Sequence, residues 1–335
     1  MARRDSQRAT SAGAWIEHVR DRVNPSAVDR EARNRIQLIV AGPKTVALLD
    51  ALRSAGPFDD QVIRSFESLG SVTQADADIA RGAVYCPAPG ATNGALSAVA
   101  SLPFPVFVVR SNGAETLGEA RLATTPASSK VAAGTACVYY VSSLNLAELR
   151  KYVLPDIVQA YKGDEIALAA AIPAFRSIVA AKLTMDCAMN SLKIAAVSAL
   201  ADHIPVLGLI TGSIASAGDT IAITALQMRM LLRIAAAYGK KPEFARILEL
   251  VPVVGGGYGW RALAREASGF IPIAGIPIKA AVAYAGTLVV GQAASYYYET
   301  GLKMSPSAVG SLYREASERA KVFARRLIQR PNRKL

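Results

Sequence analysis

Gly42, Lys44 and Thr45 are the residues of this chain whose types and order suggest chemistry. They follow a short apolar run, Ile36 to Ala41, and precede a helix-forming stretch. A strand, a glycine, a lysine and a hydroxyl residue opening a helix are the parts of a phosphate-binding loop. In that loop, consecutive backbone N–H groups curl round a phosphate, the lysine reaches the outer phosphates and the hydroxyl meets Mg²⁺. The usual spacing is G-x-x-x-x-G-K-[ST], whereas here Pro43 alone separates Gly42 from Lys44. The cradle cannot form in the usual way. The same three residues also suit a tight strand–helix turn.

The other parts of a nucleotide site are as incomplete. No Asp-x-x-Gly follows the first helix, and Asp76 and Asp78 stand in Ala-Asp-Ala-Asp-Ile-Ala without a glycine at the right offset. After the run Pro105–Arg110, Asn112 and Glu115 keep the spacing of a base-reading N-K-x-D, but a glycine replaces the lysine. Residues that would hold a nucleotide, if one binds, are Gly42, Lys44, Thr45, Asn112 and Ser142. No nucleophile, base and orienting group can be assembled: His18 lies in a polar leader, and His203 sits beside Asp202 at a helix break. Cys86, Cys137 and Cys187 are scattered among apolar residues, which suits reduced thiols in a cytosolic setting. The reading is of a protein that is not an enzyme and holds no cofactor or metal.

Alternation of short apolar runs and helical stretches must position these residues. Strands are expected at Ile36–Ala41, Ala83–Cys86, Pro105–Arg110 and Cys137–Val141, with helices at Val46–Arg53, near Gly94–Ser101 and at Leu146–Ala160. That order argues a parallel sheet covered by helices, with Pro57–Gly82 ambiguous. Strand signals then stop. A short helix follows Asp164, and a long one runs from Pro173 to about Asp202, where Pro205 and Gly208 break it. Asp219 or Thr220 starts a helix closed by Gly239, and Pro242 opens one to about Leu250. Beyond Gly255-Gly256-Gly257, helices are expected at Tyr258–Ser268 and Pro277–Thr300, with a last one starting at Ser305-Pro306. The domains read as a leader over 1–35, an α/β domain over 36–162, a helical domain over 163–303 and a basic helix and tail over 304–335.

Charge and hydropathy limit the partners. The 335 residues carry net charge +12, only 19% are charged and 52% are hydrophobic. From Lys303 to Leu335 nine Lys/Arg face two Glu. Arg229 and Arg233 lie one turn apart on a helix that is apolar on another side, and with Arg319, Arg325 and Arg326 they form the expected membrane or partner surface. Nucleic acid is not expected, because no aromatic-interleaved basic strand is present. Ala280–Tyr298 is 19 residues without a charge, close to the ~20 that span a bilayer. A hairpin with Ile204–Ala217 would place seven Lys/Arg of residues 225–269 outside, against the positive-inside tendency. A cytoplasmic protein that packs its apolar helices together, or rests on the inner leaflet, fits better than an integral one.

Two resemblances follow from particular stretches. VYYVSSLNLAELRKYVLPDIVQAY (138–161) resembles the last strand, guanine-contacting element and closing helix of a Ras-like GTPase domain, with Ser142-Ser143 where that element reads Ser-Ala. The opening strand and helix resemble that family's first strand and helix with the loop cut out. The second half, roughly residues 165–320, is similar to the YcjF-like helical family, a domain of unknown function found behind GTPase domains. The likeness rests on AIPAFRSIVAAKLTMDCAMNSLKIA (171–195), IPVLGLITGSIASAGDTIAITALQMRMLLRIAAAYG (204–239) and AGTLVVGQAASYYYETG (285–301), and within them on Asp219, Gln227, Tyr238-Gly239, Gly286-Thr287 and Gly291-Gln292. It implies a degenerate P-loop GTPase-like α/β parallel sheet followed by an all-α domain of apolar helices, and supplies no reaction. The expected function is a non-enzymatic, GTPase-derived scaffold or membrane-associated interaction protein, pairing with a GTPase relative or with itself. The alternatives are an unorthodox GTP or ATP binder with little or no hydrolysis, and a lipid-inserting oligomer built from the helical domain.

Overall fold

A run of apolar residues that never alternates with polar ones suits a strand covered on both faces. Strand β1 (Gln37–Ala41) meets this condition, with Leu38, Ile39, Val40 and Ala41 all fully buried. The computed structural model describes residues 23–88, 102–111, 128–130, 136–201, 205–254 and 275–329. The expected helices near 94–101 and 258–268, the glycine run at 255–257, Asn112, His18, Asp202 and His203 lie outside the described residues.

Helix α1 (Pro25–Ala32) precedes β1, and α2 (Thr45–Arg53) follows it. Next come β2 (Ile63–Phe66), α3 (Gln74–Ile79), β3 (Ala80–Tyr85), β4 (Val106–Ser111), β5 (Ser128–Lys130) and β6 (Ala136–Val141). The sheet order is β2-β1-β3-β4-β6-β5. All pairings are parallel except that of β5 with β6. The parallel core and its helical cover agree with the expected α/β class. Two strands escaped the sequence reading, and both are edges. In β2 only Ile63 is buried, and β5 reads Ser-Ser-Lys, so neither carries the apolar signal of a covered strand.

Helices α4 (Leu146–Tyr152) and α5 (Leu154–Ala160) replace the single helix expected over 146–160. Pro155 stands in the first turn of α5, where its missing N–H costs nothing, while a helix running through it would lose a hydrogen bond. Leu48 and Leu52 of α2, Leu149 of α4, and Leu154 and Ile157 of α5 supply large fully buried side chains. Tyr161 is also buried, and its hydroxyl donates to the Gln37 carbonyl at 2.5 Å. That bond holds the point where the β1–β3 register shifts between Gln37 and Ile39.

The chain continues as α6 (Glu165–Ala171), a 3₁₀ turn (Pro173–Phe175), α7 (Arg176–Ala201), α8 (Pro205–Ala237), α9 (Phe244–Val254), α10 (Gly275–Thr300) and α11 (Pro306–Gln329). The long helix expected to end near Asp202 ends at Ala201 and Pro205 opens the next one, but Gly208 does not break it: the helix expected to start at Asp219 or Thr220 already runs from Pro205. Proline is tolerated in a first turn, and an interior glycine costs only ~1 kcal/mol relative to alanine. Asp219 therefore lies inside α8 and does not cap a helix start. The expected end at Gly239 holds: Gly239 takes φ +73°, and the Lys240 N–H donates to Ala235 C=O at 2.9 Å. Ser305 caps α11, its hydroxyl accepting from the Ala308 N–H at 3.3 Å.

Two compact units emerge. One comprises Arg30–Val179 with Ala237–Gly239 and contains the sheet; the other contains α9 to α11 and most of α7 and α8. In the helical unit, α10 buries Ala281, Tyr284, Ala285, Leu288 and Val289 in a cluster with Ala188 and Leu192 of α7 and Tyr313, Ala316 and Ala320 of α11. Among the described residues no helix is long and apolar enough to cross a membrane. In the uncharged stretch Ala280–Tyr298, Ala280, Ala281, Tyr284, Ala285, Leu288, Val289, Val290, Ala293 and Ala294 are buried.

Candidate functional site

In an open parallel sheet, ligands bind beyond the carboxyl ends of the strands, where the strand order reverses. Here β2 lies on one side of β1 and β3 on the other, so that point is β1/β3. Gly42, Lys44 and Thr45 leave β1 at this edge, Ser111 ends β4 there, and Ser142 follows β6. Sheet topology thus brings these separated sequence positions to one edge.

Each of them is already engaged. The Gly42 N–H donates to Phe66 C=O at 3.1 Å, and the Cys86 N–H donates to Ala41 C=O at 2.9 Å. The exits of β2, β1 and β3 thereby stay stitched together past the strand ends. Gly42 has φ +107°, and a Cβ there would lie 2.3 Å from the Cys86 carbonyl oxygen. Only glycine permits this approach. Thr45 turns inward, its hydroxyl donating to Gly42 C=O at 2.6 Å.

Lys44 reaches across β3. Its ammonium donates to the Ser111 hydroxyl at 2.6 Å and to the Ser111 carbonyl at 3.2 Å. Half-buried, it bridges the exits of β1 and β4 over the switch point. Cys86 lies beneath, fully buried. Burial pushes its thiol up to about 12, against a smaller opposing pull from the Lys44 charge. A thiol so placed is neither nucleophile nor metal ligand at neutral pH.

Ser142 is held in the same manner. Its backbone N–H donates to Glu148 Oε2 at 2.7 Å, and its hydroxyl donates to the other oxygen of that carboxylate. Glu148 stands at the third position of α4, whose cap is Asn145: Asn145 Oδ1 accepts from the Glu148 N–H at 2.9 Å. Ser142 is thus paired with the carboxylate at the start of α4. Sequence reading missed Ser111 and Glu148. Asn145-x-x-Glu148 is a legible capping pattern, whereas Ser111 becomes a partner of Lys44 only through the strand order.

The helical unit gathers the residues that carried its resemblance. Gln227 of α8 donates through Nε2 to Thr287 Oγ1 at 2.9 Å, and Ser191 of α7 lies 3.2 Å from the same oxygen. Thr287 has one proton, and Ala283 C=O at 2.8 Å takes it. Ser191 Oγ is the other acceptor within reach of that proton, while Gln227 donates to the same threonine oxygen. Ser191 and Thr287 are fully buried, so the trio ties α7, α8 and α10 through one atom. Nearby, a Cβ on Gly291 would lie 2.3 Å from Thr184 Oγ1, which makes this a backbone-close crossing of α7 and α10. Of the expected surface cations, Arg229 and Arg319 are exposed and Arg233 is partly buried; Arg325 and Arg326 lie on α11, their side chains outside the described ones. No group of three or more His, Cys, Asp or Glu suited to a metal occurs among the described residues. Comparison with known proteins finds no matching family model, curated protein or solved structure.

Proposed function

We propose that this chain is a non-enzymatic interaction protein, a scaffold built on a GTPase-type domain whose phosphate loop has been lost. The observation that carries the reading is the Lys44 ammonium seated on Ser111, over the point where a sheet of this order takes a ligand. The Gly42–Cys86 approach and the Ser142–Glu148 pair support it, because each uses a group that a nucleotide would need. A rigid sheet edge with its polar groups internally paired suits a protein surface better than a small anion. The partner is a GTPase relative or a second copy of this chain.

Titration calorimetry of the full chain with GTP, GDP and ATP in the presence of Mg²⁺ tests the reading. No saturable heat at high nucleotide concentration is the expected result. A saturable one-to-one heat, lost in Lys44→Met, overturns it in favour of a nucleotide binder using Gly42, Lys44, Thr45, Asn112 and Ser142.

A further inference from the structure

We propose that the C-terminal half of α11 is a docking surface for an anionic lipid bilayer. The helix is two-sided. Tyr313, Ala316 and Ala320 are buried in the helical core, while Arg314, Glu315, Glu318, Arg319 and Val322 are exposed at three- and four-residue spacing.

The exposed face changes character along its length. Up to Lys321 the face carries acids as well as bases: Arg319 pairs with Glu315 at 2.5 Å and Lys321 with Glu318 at 2.6 Å. Glu318 is the last acid of the sequence. From Val322 to Leu335 there are five Lys/Arg and no Asp or Glu. Arg325 and Arg326 therefore have no acidic residue one turn before or after them. A helix C-terminus favours a cation or two through its dipole, and this run exceeds that demand.

Two apolar side chains sit where the change occurs. Val322 is 47% exposed and Phe323 37% exposed, and the basic positions 325 and 326 follow within one turn. Apolar side chains beside an acid-free run of cations match a bilayer surface, whose acyl boundary takes the first and whose anionic headgroups take the second. A nucleic acid would answer the cations alone. It would leave Val322 and the exposed part of Phe323 in water. The inference is independent of what the strand-end edge binds.

Flotation of the full chain with phosphatidylcholine vesicles, with and without phosphatidylserine, tests it. Binding is expected only with phosphatidylserine, and release is expected on raising NaCl well above physiological strength. Arg325→Ala with Arg326→Ala should lower partitioning about 25-fold, at about fivefold per cation. Val322→Asp should lower it at least about fivefold by removing apolar contact and adding a like charge to the headgroups. Arg314→Ala, on the half that carries acids, should change it less than about twofold. Equal binding to both vesicle types, no binding to either, or a DNA duplex that displaces the chain from the vesicles overturns the proposal. The salt and lipid dependence of the unaltered chain needs no variant, so a misfolded mutant cannot obscure the answer.

Discussion

At the scale of single residues, the strand-end edge is a set of internal bonds made by groups that normally meet ligands. Lys44 and Ser111 should therefore behave as a stabilising pair. Lys44→Met and Ser111→Ala are each expected to cost about 1–2 kcal/mol, the range for a charged hydrogen bond in a part-buried place. The double variant should cost clearly less than the sum, which urea unfolding of all three proteins will measure. Gly42→Ala should be far worse, about 3 kcal/mol or more, since it combines positive φ with a backbone overlap at Cys86. Asp76 gives a pH signature. The Thr73 hydroxyl donates to its carboxylate at 2.5 Å, and this bond, helped by Arg64 at 3.3 Å, holds the acid below its ordinary 3.8. A folded-state value below the unfolded one contributes stability that is complete above about pH 4 and lost as pH falls through the folded value. Asp76→Asn should flatten the acid limb of a urea-midpoint profile between neutral pH and strong acid. An unchanged slope would mean that the Thr73–Asp76 box contributes nothing to acid stability.

At the scale of elements, what the sequence made legible was decided by burial. β1, β3, β4 and β6 are covered by neighbours and read as apolar runs; β2 and β5 are edges and did not. Proline position mattered as much as proline presence: Pro205 opens α8, while Pro155 divides α4 from α5. Gly42, Lys44 and Thr45 were visible as a motif, but only the strand order shows that Lys44 has an acceptor on β4. Gln227, Thr287 and Gly291 were visible as a pattern, yet the Thr287 oxygen that Gln227 and Ser191 share, and the Gly291–Thr184 approach, belong to helix crossings that no local period encodes. The Gly291–Thr184 crossing is open to a compensating test. Gly291→Ala should destabilise the helical unit by about 1–3 kcal/mol through overpacking against Thr184. Thr184 Oγ1 is buried and has no hydrogen-bond partner among the described residues, so Thr184→Ala removes the overlaps at Oγ1 and Cγ2 without orphaning a donor, and leaves only the Cβ overlap at 2.8 Å. The double variant should recover part of the loss in thermal melts, and no recovery at all would place the strain elsewhere.

At the scale of the whole molecule, high hydropathy and high positive charge reside in different places. Mean hydropathy of +0.25 comes with helices whose apolar residues face one another, as in α10 against α7 and α11. Carbonate washing of a membrane pellet should therefore release the chain completely. Retention through carbonate would mean that Ala280–Tyr298 leaves its protein neighbours for the bilayer. The closed edge at Gly42, Lys44 and Ser111 also bears on how such a chain drifts over generations. A lysine whose donors are met from within is kept by folding alone, whether or not any phosphate is ever present. Under that pressure Gly42, Lys44 and Ser111 would be inherited together, while exposed Pro43 and Val46 beside them would vary freely. The joint presence of Gly42, Lys44 and Ser111 in a chain would then record the persistence of a fold and not of an activity.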